Sequence, residues 1–237
     1  MKVSVIIPTY NRFHYLLNAI ESVKSQTYDD IEIIVVNDRS SEDSYYKYDF
    51  AGVNILHLDK NAVERHGRPM PGCYPRNVGM KISIGHYVAF LDDDDVWLPR
   101  KIELQVEAMR SSGCEMSCSD GYIGNGMYDA NKEYSRYNAE HYWGALRKIY
   151  RRKRKSHLIK NGLPDMWNSE LIGTHNCCVC SSVVLSKRVI EKTGHFEIMP
   201  FAEDWEYWRR ALKYTDCAYV KEPCFYYDSG HGGGQKY

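Results

Sequence analysis

One stretch decides the fold predicted for this chain: Tyr87-Val88-Ala89-Phe90-Leu91-Asp92-Asp93-Asp94-Asp95-Val96-Trp97-Leu98-Pro99. Its apolar first part predicts a buried strand, and four carboxylates follow that strand directly. The residues from Val96 onward are typical of the opening of a helix, with Pro99 near the first turn. The other elements can be arranged around this strand, the acid run and the helix.

The acid run is the first candidate for a functional site. Four adjacent carboxylates repel one another, and an isolated buried charge is costly. A folded protein tolerates such a cluster either as a solvated turn or as the ligand of a cation. The end of a buried strand favours the cation, because ligands bind at the carboxyl ends of strands in α/β sheets. Carboxylate oxygens that leave positions open for phosphate oxygens suit Mg²⁺ or Mn²⁺.

The N-terminal residues predict a βαβ unit. Residues 3–7 and 31–36 are nearly continuous apolar runs, as expected of parallel strands covered on both faces. Between them, residues 13–25 show the spacing of a helix. Because the crossover should be right-handed, both strands end on the same side of the sheet, and we expect Tyr10 and Asp38 to lie close together.

The remaining elements follow from the same patterns. We predict a strand at 53–58, a loop rich in helix breakers at 61–75, a helix at 76–82 in which Gly79 permits close packing, a strand at 114–119, a strand at 179–185, helices at 186–193 and 203–212, and closing strands at 217–220 and 224–227.

Composition limits the class of protein. Among 237 residues, 31 Lys plus Arg balance 31 Asp plus Glu, so no global field attracts the chain to nucleic acid or a membrane. The apolar run after Lys2 is too short for a signal peptide, and no stretch is long enough to span a membrane. We therefore expect a cytoplasmic protein whose eight cysteines are reduced. Zinc at Cys177, Cys178 and Cys180 is disfavoured, because no second cysteine pair lies at a useful distance.

A basic run interrupts a polar, tyrosine-rich region at about 120–170. Seven of the nine residues from Arg147 to Lys155 are basic. A solvated helix face or a mobile loop is one interpretation. The other is a patch for an anionic acceptor, or for peripheral contact with a membrane that carries a lipid-linked acceptor. Nucleic acid ranks third and is not expected as a partner, because no stacking module accompanies the run.

Several motifs occur in a particular order along the chain. They are residues 3–12, Gln26-Thr27-Tyr28, residues 32–41, Arg76-Asn77-Val78-Gly79, residues 90–99 and Glu203-Asp204. Together they resemble the family 2 glycosyltransferases of the GT-A fold, over most of residues 1–110 and again near 175–215. The resemblance implies an α/β domain with a mixed, mainly parallel sheet flanked by helices. It divides residues 1–237 into a nucleotide-sugar-binding half (1–115), an acceptor-binding half (116–225) and a flexible tail or lid (226–237).

The resemblance also implies an activity and a donor site. The activity is transfer of a sugar from a nucleotide sugar, UDP-linked in particular, with inversion and with Mn²⁺ or Mg²⁺. Tyr10 would flank the base, the backbone at Pro8 and Thr9 would approach it, and Asp38 would accept a hydrogen bond from a base N–H. The other donor-binding residues are Arg12, Arg76, Asp92 and Asp93, with Asp92 or Asp93 directed to the ribose.

The metal ligands and the acceptor side are implied in the same way. Asp94 would bind the metal, although four consecutive Asp leave the register open, and Asp95 is a candidate cap for the next helix. His231 would complete the metal shell or touch the diphosphate from a glycine-rich lid, the alternative being a disordered tail. Asp204 would be the catalytic base. The acceptor contacts would come from Glu203, His175 and Trp205, on a glycan or a lipid-linked acceptor.

Physical chemistry supports these roles independently. A nucleoside diphosphate leaves with negative charge, which a bound divalent cation neutralises. One carboxylate on the opposite face can deprotonate the attacking hydroxyl, and Asp204 lies far in sequence from the metal acids. Two other functions remain open. A sugar-1-phosphate nucleotidyltransferase would need a glycine-rich loop after the first strand, which residues 8–12 do not supply, and a non-catalytic nucleotide-sugar-binding protein would not need Asp204.

Overall fold

A mixed ten-stranded sheet organises the computed structural model, which describes residues 1–70 and 72–231. The strands are β1 (Val3–Thr9), β2 (Ile31–Asn37), β3 (Asn54–His57), β4 (Tyr87–Phe90), β5 (Val96–Trp97), β6 (Met116–Gly124), β7 (Ser135–Arg136), β8 (Met166–Trp167), β9 (Val184–Ser186) and β10 (Cys217–Asp228). The main order is β3-β2-β1-β4-β9-β6-β10-β5, with β7 beside β6 and β8 beside β10.

Helices cover the sheet. They are α1 (Phe13–Lys24), α2 (Ser44–Lys47), α3 (Ala62–His66), α4 (Cys73–Ile82), α5 (Lys101–Ser112), α6 (Trp143–Arg152), α7 (Ser169–Thr174), α8 (Lys187–Thr193) and α9 (Glu203–Ala211). Three shorter turns join them: a π-helical turn at Tyr137–His141 and 3-10 turns at Ser156–Ile159 and Cys180–Ser182. The predicted α/β class is confirmed.

Strand direction explains where a site can form. β1 pairs in parallel with β2 and β4, β2 with β3, and β6 with β10. β9 is antiparallel to both β4 and β6, so β4 and β6 again run the same way. The carboxyl ends of β1, β2, β4 and β10 therefore face one edge of the sheet, which is the position expected for ligands.

The central strands are buried on both faces. Every residue of β1 is buried, and its side chains alternate between two apolar layers. Ile6 packs into the layer that contains α4, α8 and α9, whereas Val5 and Ile7 pack toward α1 and α5. This two-sided burial is why the strand sequence is continuously apolar rather than alternating.

The acid run is followed by a strand and not by a helix. Val96 and Trp97 form β5, which pairs antiparallel with Tyr226 and Phe225 of β10. The prediction that a helix opens at Val96 is therefore wrong, since α5 begins at Lys101 after Pro99. The long-range pairing with β10 outweighs the local preference.

Two other predicted elements need correction. The predicted loop at 61–75 contains α3, whose N-cap Asn61 forms a capping box with Glu64, and the first turn of α4. The predicted strand at 179–185 is a 3-10 turn at Cys180–Ser182 followed by β9. The capping box of α3 is a local effect, whereas the turn at Cys180–Ser182 is held by hydrogen bonds to the distant residues Asp95 and Trp97.

The C-terminal part is more ordered than predicted. One strand, β10, replaces the two closing strands and is irregular around Pro223. The predicted tail or lid at 226–237 is wrong at its start, because residues 226–228 belong to β10. Its last residues, 232–237, lie outside the described part of the chain.

All eight cysteines are free and buried. The Sγ atoms of Cys118, Cys178 and Cys217 lie within 4.8 Å of one another in the core. Burial raises the pKa of the Cys118 and Cys178 thiols, so these two are neutral at pH 7 and pack as small apolar groups. Within residues 1–70 and 72–231, no helix has both the length and the apolarity needed to cross a membrane.

Gly79 should be required for the close approach of α4 to the sheet. A Cβ added at Gly79 would lie 2.5 Å from Cγ2 of Ile6, which is closer than packed atoms allow. We expect Gly79→Ala to lower the free energy of unfolding by about 1–3 kcal/mol, the usual cost of overpacking. Urea denaturation followed by circular dichroism measures it.

Gly173 in α7 provides the matched control. A Cβ there would meet no atom within 4 Å, so Gly173→Ala should leave stability unchanged or raise it slightly. Equal stability of the Gly79→Ala variant and the parent protein would contradict the packing described here.

Candidate functional site

Four strand ends meet at one edge of the sheet. β1 leads into Tyr10, β2 into Asp38, β4 into the acid run and β10 into the turn that carries His231. The backbone N–H of Asp38 donates to the carbonyl of Thr9 at 2.9 Å, so the predicted proximity of Tyr10 and Asp38 is confirmed. The backbone N–H of Tyr10 in turn lies 3.4 Å from Oδ2 of Asp93.

The predicted base-binding residues line this edge. The backbone N–H of Ala62, the first residue of α3, donates to Oδ2 of the buried Asp38 at 3.1 Å. Pro8 lies against Gly72, where an added Cβ would approach the proline ring to 3.2 Å. Thr9 is buried and shares a hydrogen bond with the hydroxyl of Tyr45 at 2.8 Å.

Arg12 crosses the cleft to the acid run. Its Nη1 atom contacts Oδ1 of Asp93 at 3.0 Å and Oδ2 of Asp94 at 2.7 Å. Arg12 was predicted to bind the donor, and the structure shows it as the counter-ion of two strand-end acids. These carboxylates are nearly buried, so the charge-assisted bonds compensate part of their desolvation.

Arg76 connects the two halves of the chain. It projects from α4, and its side chain is only 5% exposed. Nη2 donates to Oδ1 of Asp92 at 2.5 Å, and Nη1 donates to Oε1 of Glu203 at 3.0 Å. Asp92 stands at the end of β4 and Glu203 begins α9, so one guanidinium fixes both motifs relative to each other. The acceptor contact predicted for Glu203 stays a prediction.

Asp95 is a structural member of the acid run. Its Oδ2 accepts a hydrogen bond from the hydroxyl of Ser181, and its Oδ1 accepts one from the backbone N–H of Asp228 at 3.0 Å. The proposed helix cap at Asp95 is therefore wrong, since α5 begins six residues later. Burial raises the pKa of Asp95 well above its usual value.

Asp94 carries the charge that a cation would neutralise. Burial and the neighbouring Asp93 raise its pKa to about 7, even though Arg12 opposes the shift. Asp92, Asp93 and Asp94 offer carboxylate oxygens, which are hard donors, and Arg12 contacts two of these residues, Asp93 and Asp94. The residues present thus fit Mg²⁺ or Mn²⁺ in both charge and ligand chemistry.

His231 lines the same cleft as Arg12. A cleft of about 500 Å³ is bordered by Tyr10, Asn11, Arg12, Phe13, His14, Tyr15, Glu42, Met127, Gly230 and His231. Nδ1 of His231 lies 2.9 Å from Oδ2 of Asp228, and its ring packs edge-on against Tyr15 with centroids 4.5 Å apart. A carboxylate that fixes one ring nitrogen is the usual partner of a metal-binding imidazole. Its role as a metal ligand stays a prediction.

Asp204 has the properties of a general base. It lies in the first turn of α9, where Nδ2 of Asn176 donates to its Oδ2 at 3.1 Å and the backbone N–H of Trp205 donates to its Oδ1 at 2.6 Å. Burial and the adjacent Glu203 raise its pKa to about 7, against these two hydrogen bonds and Arg76. A carboxyl group with such a pKa can accept a proton near neutral pH.

The predicted acceptor residues lie beside Asp204. Nε1 of Trp205 donates to the carbonyl of Ile172 at 2.6 Å, and the ring of His175 lies 6.4 Å from the ring of Trp205. Nζ of Lys153 donates to the carbonyl of Thr174 at 2.6 Å, next to His175. Burial, with a smaller effect of Lys153, lowers the pKa of His175.

Sequence reasoning missed three residues of the site. Ser181 and Asp228 hold the acid run, and Tyr137 belongs to the π-helical turn. Burial raises the pKa of Tyr137, and neighbouring tyrosines and then the charges of Asp95 and Asp204 add smaller contributions. No local signal in the sequence marks Ser181 or Asp228. Tyr137 lies in a π-helical turn, and such turns are frequent at functional sites.

Comparison with known proteins agrees with this arrangement. Over 111 residues the chain is 41% identical to an uncharacterized glycosyltransferase of Rickettsia bellii (strain RML369-C), covering 47% of this chain and 15% of that protein. It is 35% identical over 108 residues to the Escherichia coli UDP-Glc:alpha-D-GlcNAc-diphosphoundecaprenol beta-1,3-glucosyltransferase WfgD, covering 45% of this chain and 40% of that protein. The chain thus spans less than half the length of these two relatives.

The fold has a counterpart among solved structures. The crystal structure of S. aureus TarS 1-349 in complex with UDP-GlcNAc superposes with a TM-score of 0.66 at 17% identity, covering 98% of this chain and 60% of that one. At this identity the likeness concerns the fold alone. The family model described as Glycosyl transferase family 2 matches residues 4–173. With motifs, fold and family model in agreement, the chain belongs to glycosyl transferase family 2.

Proposed function

We propose that this chain transfers a sugar from a UDP-linked donor to an acceptor hydroxyl, with inversion at the anomeric carbon. The observation that carries the proposal is the buried Arg76, which joins Asp92 to Glu203 and so holds the strand-end acids beside Asp204. A direct displacement requires a donor diphosphate, here at the strand-end acids, and a base, here Asp204.

The donor would lie along the edge formed by β1, β2 and β4. Pro8, Thr9, Tyr10 and Asp38 are placed to surround the base, and Arg76 and the acids Asp92 and Asp93 follow toward the diphosphate. Relatives support the choice of nucleotide: the printed name of WfgD specifies UDP-Glc, and TarS was crystallised with UDP-GlcNAc.

A divalent cation would be held by Asp94 and His231. The chemistry that bound Mg²⁺ or Mn²⁺ supplies is neutralisation of the charge that develops on the leaving diphosphate. Arg12 contributes positive charge from the chain itself, because its guanidinium already contacts Asp93 and Asp94. Arg76 is held in place, because its movement would leave the carboxylates of Asp92 and Glu203 without their shared partner.

Asp204 would take the proton from the attacking hydroxyl. Its pKa of about 7 leaves a substantial fraction ionised at neutral pH, and Asn176 keeps Oδ2 oriented. Inversion follows from the resemblance to family 2 glycosyltransferases, and a direct displacement with one base needs no covalent intermediate. Lys153 and the backbone around Thr174 support His175 on the same side.

The acceptor would be a glycan or a lipid-linked glycan. His175 and Trp205 are placed to contact it, and the printed name of WfgD specifies a diphosphoundecaprenol-linked acceptor. For a lipid-linked acceptor, we propose that residues 147–155 make peripheral contact with the membrane.

Replacing the base should abolish turnover and spare donor binding. We expect Asp204→Asn to lower the rate of UDP release from UDP-glucose and UDP-GlcNAc, with polyprenyl diphosphate-linked GlcNAc offered as acceptor, by about 10²–10⁴-fold. Glu206→Gln makes the same chemical change two residues further along α9, where Glu206 pairs with Arg210, and should leave the rate unchanged. Near-parental turnover of Asp204→Asn would remove Asp204 from this role.

The pH profile should report the environment of Asp204. The hydrogen bond from Asn176 favours the charged carboxylate, so its loss in Asn176→Ala should raise the pKa of Asp204. The acidic limb of kcat/KM against pH should then move to higher pH by about one unit, the value of one charge-assisted bond. Asn131→Ala, in an exposed loop, is the control. An unchanged limb, or a shift to lower pH, would contradict the assignment.

Metal binding should depend on Asp94. We expect Asp94→Asn to weaken Mn²⁺ binding, measured by the loss of the free-ion signal in electron paramagnetic resonance, by tenfold or more (~1.4 kcal/mol). Asp43→Asn, which alters an exposed acid paired with Lys47, should leave Mn²⁺ binding unchanged. Parental Mn²⁺ affinity in Asp94→Asn would mean that another acid of the run is the ligand.

A further inference from the structure

Helix α6 presents two distinct faces. Leu146 and Tyr150 are buried in the core, where the Tyr150 hydroxyl donates to the carbonyl of Leu171 at 2.8 Å. Arg147, Lys148 and Arg151 are exposed on the other side, where Arg151 is the i+4 neighbour of Arg147 and the i+3 neighbour of Lys148. The apolar side of α6 packs against the core, so the basic side is the one that a partner can contact.

The basic face borders a groove. The headgroup groove, as we call it, measures about 720 Å³ and lies between α6 and the turn Ser156–Ile159, lined by Trp143, Gly144, Arg147, Lys148, Arg151, Ser156, Ile159 and Lys160. Lys160 is basic as well but follows the run in sequence. In the part of the chain that the structure describes, none of these four basic side chains forms a salt bridge with a carboxylate.

Two other residues of the basic run contact the body of the protein. Lys155 pairs with Glu170, and Lys153 donates to the carbonyl of Thr174 with its Nζ 6.0 Å from the ring centroid of Trp205. The run therefore contains residues that face the groove, residues that hold α7, and the exposed Arg152 and Arg154. The second group also ties the end of α6 to His175 and Trp205, the proposed acceptor contacts.

We propose that the headgroup groove binds the phosphate groups of anionic phospholipids and so docks the protein on a membrane surface. Arg147 and Arg151 supply guanidinium forks suited to phosphate, and Lys148 and Lys160 supply point charges. Because the apolar side of α6 is buried, the contact is electrostatic and lies at the headgroup level, without insertion of the helix.

The charge of the chain and the residues that line the groove favour lipid over nucleic acid as the partner. Net charge is zero over the whole chain, so attraction to an anionic partner must come from a local patch such as this one. Among the residues that line the groove, Trp143 alone is aromatic. Single-stranded nucleic acid would require a series of stacking rings along the groove. A membrane docked here would present lipid-linked acceptors on the side of Trp205. The inference extends the proposed membrane contact but does not depend on transferase activity.

Vesicle binding tests the groove directly. The full chain is sedimented with vesicles of phosphatidylcholine and phosphatidylglycerol in equal parts, and with pure phosphatidylcholine, at low and high salt. We expect binding only to the anionic vesicles, with loss at high salt. Arg147→Glu combined with Lys148→Glu and Arg151→Glu should weaken binding by about 100-fold, since each basic residue contributes about 1 kcal/mol, or about fivefold, near such a surface.

A matched triple variant separates the groove from general charge. Lys81→Glu with Arg110→Glu and Lys213→Glu changes net charge equally at exposed sites away from α6, and should keep vesicle binding. The single variant Lys160→Glu, outside the helix, should weaken binding even if the groove triple unfolds. Equal loss in both triples, equal binding to neutral vesicles, or tighter binding to a single-stranded RNA at the same salt would overturn the proposal. If the groove proposal is wrong but the proposed function is right, the protein still shows Mn²⁺-dependent binding of UDP. Measuring UDP binding therefore separates the two failures.

Discussion

The two ion pairs of the buried Arg76 are the interaction on which the rest of the site depends. One guanidinium bonds to Asp92 at the end of β4 and to Glu203 at the start of α9, so elements more than a hundred residues apart in sequence share a single charge. Removing Arg76 would leave the buried carboxylate of Glu203 without its counter-ion, and an uncompensated buried charge typically costs about 3–5 kcal/mol. Arg76 can reach both acids because α4 lies close to the sheet, where Gly79 packs on Ile6.

Three aspartates illustrate how surroundings give one residue type different properties. Asp95 is buried, hydrogen-bonded to Ser181 and to the backbone of Asp228, and serves the architecture. Asp94 stands beside another carboxylate, which helps to raise its pKa and makes it receptive to a cation. Asp204 also has a raised pKa, but its neighbours are Glu203 and the amide of Asn176, and this environment suits proton transfer. The separation of the proposed cation-binding acid, Asp94, from the proposed proton acceptor, Asp204, is what a displacement at a sugar carbon needs.

The sequence predicted the elements whose own residues decide their structure. Strands β1, β2 and β4 were recognisable because two-sided burial leaves a continuous apolar run, and parallel strands necessarily bring Tyr10, Asp38 and the acid run to one edge. Elements that form only through contacts with residues far away in sequence could not be predicted. β5 exists through its pairing with β10, and the turn Cys180–Ser182 is held by hydrogen bonds from Ser181 to Asp95 and from Trp97 to Ser181. The π-helical turn likewise depends on the buried Asp120, which accepts the backbone N–H of Asn138.

The central claim is that the edge formed by β1, β2 and β4 binds a nucleoside diphosphate together with a divalent cation. The most direct measurement is calorimetric titration of the protein with UDP, GDP and dTDP, each in Mn²⁺ and in EDTA. We predict that UDP binds in Mn²⁺ and that its affinity falls by tenfold or more in EDTA, because the acids alone repel the diphosphate. Tighter binding of GDP or dTDP than of UDP would change the assigned donor nucleotide but not the assigned binding site. Absence of binding by any diphosphate with Mn²⁺ or Mg²⁺ would contradict the account and leave only the fold.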